Sequence, residues 1–331
     1  MEVAELETVL KTFESALSQI KWHLKLSSKR RLEIDILALC TEMRPVVMVD
    51  YGGKMPELQE RLCAFLKHCK EDCSTFKPLH VMVIEDMIYL VHARAFAEFV
   101  KSSLNLETRL IFVDLEHDPP KMITQAEESS VAAELVLAQK TFSSVFSENG
   151  IKIDHLEHQK PEVRANTDSS FYKPTSSLSS EVIDLGECIK DSHVTVPTLN
   201  GWLLGYPIVY LFGMTHIENA IYNLSTKSLH LFQVLICRSS RCNRGSQAQK
   251  EELMSFSVPY DLSLEGMNEP WVETFLIRIR TRQERCNQIW TSLQMEVTAC
   301  YPQAIALYWR LFEGGKLQIG GFRAHIIGFK D

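Results

Sequence analysis

Two apolar runs in this chain end the same way. "VVMVD" at 46–50 and "LIFVD" at 110–114 each close on an aspartate, Asp50 and Asp114. In a parallel sheet the carboxyl ends of the strands lie along one edge, and ligands bind in the crevice there. If the two strands are neighbours, their carboxylates can share a magnesium ion, with Asp118, Glu85 and Asp86 near enough in sequence to add oxygens. Such a set suits a metal-assisted hydrolase or phosphotransferase acting on a phosphorylated small molecule. Directly after Asp50, Gly52 and Gly53 let backbone amides approach an anion, and Lys54 adds positive charge ahead of a helix start. Each feature also has a plainer reading. Aspartate closes strands because it bonds the backbone of the following turn, and a glycine pair makes a tight turn. The Walker phosphate loop is excluded, because Met48 stands where its first glycine belongs and Met55 where its Ser or Thr belongs.

Other chemistry-bearing residues are less well arranged. Cys63, Cys69, Cys73 and His80, with His68 as a substitute, have zinc-binding atoms but lack the C-x-x-C knuckle, so buried thiols are the better reading. Cys237 and Cys300 stand at strand ends, and His193, His216 and His230 are available, yet no local signature makes a Cys-His pair. There is no G-x-S-x-G elbow and no H-E-x-x-H. Lys29, Arg30 and Arg31 read as a solvated helix start, and "CRSSRCNRGSQAQK", with Arg238, Arg241, Arg244 and Lys250, as a solvated loop. Arg278, Arg282 and Arg285 form a helical stripe expected to face water or an acidic partner.

The elements that must position these residues follow from hydrophobic period. Val3, Leu6, Leu10, Phe13, Leu17, Ile20 and Leu24 mark a first helix, and Val9 and Ala16 widen its stripe beyond a coiled-coil seam. "KRRLEIDILALCTEM" reads as a second helix with Leu32, Ile36 and Leu39 inward. Strand, glycine turn and helix follow, then "LHVMVIED", "ARAFAEFVKSSL", "TRLIFVD" and "TQAEESSVAAELVLAQKTFSSVF", with "MIYLVHA" open to either neighbour. This alternation predicts a mixed α/β sheet, parallel in the N-terminal half, with helices on both faces. "GYPIVYLF", "LHLFQVLICR", "LMSFSVPYDL" and "LQMEVTA" are expected to add antiparallel strands to one continuous sheet, with no long helix among the first three, and a helix begins near Pro270. The expected organisation is one domain over 1–307, a flexible Ser/Thr/Pro-rich insertion at about 157–181, and an atypical tail at 308–331 outside the core.

Composition narrows the class. The chain has 331 residues, 45% hydrophobic and 23% charged, with a net charge of −7, which argues against a wide basic nucleic-acid surface. The most apolar window, "GWLLGYPIVYLFGM", is too short to span a bilayer and is broken by Gly205 and Pro207. Nine cysteines without framework spacing fit a reducing compartment, cytoplasmic and also nuclear, and the acidic start fits no export signal.

The wording of "KPLHVMVIEDMIYLVHARAFAEFV", "LGYPIVYLF" and "EPWVETFLIRIR" through "MEVTACYPQAIAL" resembles a family of uncharacterised vertebrate proteins carried under a chromosome 1 open-reading-frame placeholder, a domain of unknown function. The resemblance runs to about Leu307 and departs from Tyr308 onward; it implies no activity, cofactor or catalytic residue. The leading expectation is a non-catalytic protein-interaction or adaptor protein with an unknown protein partner and no cofactor. The alternative is the magnesium-dependent enzyme built on Asp50 and Asp114.

Overall fold

Apolar spacing dictates the first layer. The computed structural model describes residues 2–104, 110–123, 129–147, 150–151, 182–190, 192–239 and 250–301. Helix α1 (Val3–Gln19) turns Leu6, Val9, Phe13, Ala16 and Leu17 inward, and α2 (Leu26–Cys40) buries Leu32, Ile36 and Leu39. Strand β1 (Val46–Met48) leads through the glycine turn to α3 (Glu57–Asp72), whose Leu58, Leu62, Phe65, Leu66 and Cys69 share the buried face. Strands β2 (Leu79–Ile84) and β3 (Met87–His92) form a hairpin through Glu85, which takes a positive φ of 54°. Helix α4 (Ala93–Leu104), β4 (Ile111–Asp114), β5 (Lys121–Ile123) and α5 (Ser130–Val145) follow, then the short ribbon β6 (Phe146–Ser147) and β7 (Gly150–Ile151).

The second half contains β8 (Val182–Asp184), α6 (Gly186–Ile189), α7 (Val196–Leu203), β9 (Ile208–Leu211) and α8 (Ile217–Thr226). It closes with β10 (Leu229–Arg238), β11 (Lys250–Pro259), α9 (Pro270–Arg285) and β12 (Trp290–Cys300).

The fold is mixed α/β, as the alternation predicts, and its parallel pairs lie in the first two sheets. One sheet has the order β1-β3-β2-β8, with only β2 and β8 parallel; a second has β5-β4-β9, with β4 and β9 parallel; a third, β11-β10-β12, is antiparallel throughout. Three expectations are corrected. The two halves do not share one continuous sheet among the described residues. "GYPIVYLF" joins β4 as a parallel neighbour rather than adding an antiparallel strand. Between β9 and β10 stands α8, with Ala220, Asn223 and Leu224 buried, where a turn-rich connection is expected. The open segment "MIYLVHA" is β3 up to His92, buried along that length, and its Ala93 begins α4. The insertion at 157–181 and the tail at 308–331 lie outside the described residues.

Two apolar clusters hold these layers. One gathers residues from Leu6 to Trp290, with Phe13 and Trp22 set edge-on against Phe65 and with Phe232 stacked on Phe256 at 5.4 Å. The other centres on Trp202, packed by Phe96, Phe99 and Phe142 with ring centroids 5.4–6.5 Å away. Tyr206 packs against both.

Candidate functional site

The glycine turn is built as structure. Gly52 has φ +83°, a left-handed conformation that favours glycine, and a Cβ there would stand 2.8 Å from Leu24 Cδ2 and 3.1 Å from Trp22 Cζ2. Trp22 Nε1 donates to Gly52 O at 3.2 Å, which ties the turn to the end of α1. Gly53 meets only Leu58, at 3.5 Å, and Lys54 is exposed, its carbonyl accepting from Leu58 N at the start of α3. Tyr51, between Asp50 and Gly52, points the other way. Its hydroxyl donates to Asp35 Oδ2 at 2.7 Å, and Asp35, 1% exposed, receives a two-pronged bond from Arg31 at 2.7 and 3.0 Å. Burial first, and then the Asp35 charge, hold the Tyr51 phenol well above its ordinary pKa. Burial alone would lower Arg31, but Asp35, with Tyr51 and Glu252, together more than offset it and keep the guanidinium charged. Sequence reading places Arg31 at a solvated helix start; the structure seats it on Glu252 O and Leu253 O of β11 as well.

Asp50 and Asp114 are not on neighbouring strands. β1 pairs with β3, antiparallel, which brings Asp50 toward the hairpin end that carries Glu85 and Asp86. β4 lies in the other mixed sheet, between β5 and β9, so Asp114 and Asp118 belong to a different edge. The premise of a shared magnesium therefore fails at the level of strand order. Among the described residues no group of three or more His, Cys, Asp or Glu could hold a metal ion, the Cys63, Cys69, Cys73 and His80 set included. Cys40, which sequence spacing does not suggest, feels the charges of Cys69 and Cys73, and burial raises the pKa of Cys40 and of Cys69.

At the carboxyl ends of the parallel pair β4/β9 the polar groups are tightly organised. Asp114 Oδ1 accepts from Glu116 N at 2.8 Å, and Oδ2 lies 2.9 Å from His117 Nδ1. Glu116 Oε1 accepts from Gly213 N at 2.7 Å, and its other oxygen lies 3.7 Å from His216 Nε2. Asn223 donates to Leu115 O and His117 O at 3.0 and 2.9 Å, so α8 clamps the loop. Asp118 bonds Lys227 at 2.6 Å, and that bond raises the Lys227 pKa. This loop is thus fixed to the segment that enters β10.

Around that clamp the surface is apolar where it is not charged. The large hydrophobic side chains exposed among the described residues are Leu26, Leu137, Met214, Tyr222, Tyr260, Leu264, Ile277 and Tyr301, and five of these eight sit in segments that meet here. Met214 follows Gly213; Tyr222 is on α8 and is felt by Lys227, as is Asp261. Tyr260 N donates to Ser228 O at 2.9 Å and its ring lies 4.6 Å from that of His230. Tyr301 follows Cys300, which pairs with Leu229 at the start of β10. Segments 114–118, 213–228 and 259–266 carry six carboxylates, Asp114, Glu116, Asp118, Glu218, Asp261 and Glu265, against one lysine, Lys227. Sequence reading found Asp114 and Asp118 but not the tyrosines, which are spread over 80 residues, from 222 to 301, with no common period.

The remaining candidates separate. His193, Cys237 and Cys300 join no site among the described residues, His230 contacts Ser263, and Arg241 and Arg244 lie outside the described residues. Arg278 and Arg282 are half-buried rather than facing water. No helix among the described residues is long and apolar enough to cross a membrane.

The chain matches a family model described as a domain of unknown function, DUF4504, over residues 14–307. It belongs to that family, whose match runs from the middle of α1 to just beyond β12. No curated protein and no solved structure matches it.

Proposed function

We propose that this protein is a non-catalytic interaction protein, one folded unit over residues 1–307, that docks a protein partner at the carboxyl ends of β4 and β9 and the adjoining end of the antiparallel sheet. The observation that carries the reading is that exposed Met214 and Tyr222 lie in segments bonded to the Asp114–Asp118 loop, and exposed Tyr260, Leu264 and Tyr301 in segments that meet the start of β10 just after Lys227. Interface cores favour aromatic residues and methionine, and tyrosine is a frequent hot spot because it buries a large rigid ring and keeps a polar tip. The clamp supports the reading further, since a loop already held by Asn223, Gly213 and Lys227 loses little freedom on binding. Six carboxylates against one lysine select the partner's chemistry: an apolar contact patch rimmed by Lys or Arg. The reading uses no metal or cofactor. A reducing compartment, cytoplasmic or nuclear, fits the free thiols at all eight described cysteines.

Photo-crosslinking amino acids placed at Tyr222 and Tyr260, with a third at exposed Leu137 on α5 as control, test it in cells. The two tyrosine positions are expected to capture the same protein, through a basic segment, and Leu137 to miss it. The same products from all three positions would remove the surface from consideration. Capture of a second copy of this chain at both tyrosines would replace the heterologous partner by self-association.

A further inference from the structure

An edge strand turns half of its N–H and C=O groups away from its one neighbour, so a sheet edge can add a further strand unless something guards it. The edge strands of the two mixed sheets, β1, β8, β5 and β9, are three or four residues long. The antiparallel sheet has two long edges, β11 and β12, and they differ. On β11, side chains take the outward carbonyls. Arg31 bonds Glu252 O and Leu253 O at 2.8 and 3.3 Å, Arg44 bonds Leu253 O at 3.2 Å, and the Tyr210 hydroxyl bonds Ser257 O at 2.8 Å. That edge is closed.

On β12 the outward groups follow from the register. Ser257 faces away from β10 and Tyr260 N bonds Ser228 O, so Phe256 and Val258 face β10 and bond Phe232 and His230. Alternation then leaves Leu231, Gln233 and Leu235 to bond Thr298, Glu296 and Gln294 on the other side. Thr291, Leu293, Met295, Val297 and Ala299 therefore point their N–H and C=O groups outward, and among the described residues nothing bonds them. The usual guards are missing as well. Trp290–Cys300 contains no proline, lysine or arginine, and its one charge, Glu296, is engaged by Lys250 of β11 at 3.0 Å. Its side chains sort by face. Leu293, Met295 and Val297 continue the rows of Ile236, Val234 and Phe232 on the side where Trp271 packs, yet stay half-buried, while Gln294, Glu296 and Thr298 are exposed on the other side.

We propose that β12 pairs edge to edge and antiparallel with β12 of a second copy of this chain, about a two-fold axis at Met295, joining two three-stranded sheets into one. This pairing sets Leu293 opposite Val297 and Met295 opposite itself, so the half-buried apolar rows of both copies meet on one face. The five outward residues of each copy then exchange about ten main-chain hydrogen bonds, as many as a typical interface carries. Charge selects the register: Glu296 faces Gln294 of the other copy, whereas an axis at Glu296 would set two carboxylates opposite each other. The contact uses the outer edge of β12 rather than Tyr222 or Tyr260, and it stands or falls without the tyrosine surface.

Sedimentation equilibrium of the full chain across the micromolar range tests the pairing. A reversible dimer is expected. Gln294→Glu, at an exposed side chain, creates two like-charge pairs across the axis and should raise the dissociation constant about tenfold, and Gln294→Lys, facing Glu296, should lower it. A monomer at every concentration overturns the proposal, and so does a dimer whose dissociation constant neither Gln294 variant moves. A dimer weakened by Tyr222→Ala/Tyr260→Ala but not by Gln294→Glu would also overturn it, by moving self-association to the tyrosine surface.

Discussion

"VVMVD" and "LIFVD" are nearly the same sentence, and the molecule uses them in opposite ways. The first strand lies beside β3 in an antiparallel pair, and the residue after its aspartate, Tyr51, reaches inward to a buried Asp35–Arg31 pair. The second lies beside β9 in a parallel pair, and its aspartate turns to the surface loop, where it organises Glu116 and His117. One strand end serves the core and the other serves a surface. The difference comes from the neighbour each strand has, and five residues of local sequence carry no information about that neighbour.

Breaking the inward end should cost the most. Asp35→Ala leaves the part-buried Arg31 cation without its carboxylate and the Tyr51 hydroxyl without its acceptor, so it is expected to destabilise the fold by about 3 kcal/mol in chemical denaturation. The double variant Arg31→Met/Asp35→Leu should recover most of the loss, and failure to do so would mean that packing rather than charge dominates there. The glycine pair separates next. Gly52→Ala puts a Cβ 2.8 Å from Leu24 Cδ2 at a positive φ and should cost about 2 kcal/mol. Gly53→Ala, with nothing nearer than 3.5 Å, should stay within about 1 kcal/mol. Equal effects would deny that the turn is shaped by Trp22 and Leu24.

Histidines sharpen the contrast further. His80 on β2 is held down to about 4, by burial first and then by Lys70 and His92. Its unfolded form takes a proton near pH 6.5 while the folded form resists until about pH 4, so the unfolded state binds more protons between these values. Stability is expected to fall as pH drops through that window and to be unaffected by this group above it. His80→Leu should flatten the melting-temperature profile there; an unchanged profile would place the acid sensitivity elsewhere. The smallest effect belongs to the outward end. Asp114→Ala removes a turn bond and a histidine contact at a partly exposed site, and should cost about 1 kcal/mol.

Much of the fold could be read from period alone. Helices α3 and α4 carry clean apolar faces, and α4 coincides with "ARAFAEFVKSSL". Helix α7 could not be read that way, because all of its eight residues except Pro197 are buried and a helix apolar on every side has no stripe to detect. Sheet order was equally out of reach, since β4 finds β9 nearly a hundred residues later. The candidate surface was half legible: Asp114 and Asp118 stand out as turn carboxylates, whereas Tyr222, Tyr260 and Tyr301 become a group only when α8, β10 and β12 meet. The α9 arginines read as a water-facing stripe because a periodic pattern cannot tell solvent from a neighbouring loop's carbonyls.

The most direct test of the interaction surface is the affinity of the protein captured from Tyr222 for the purified chain and for Tyr222→Ala/Tyr260→Ala, measured by calorimetry. Loss of two hot-spot rings should weaken binding at least about thirtyfold, with Arg282→Gln binding as the unaltered chain does. Equal affinity of the double variant and the unaltered chain would contradict the surface as the site of docking.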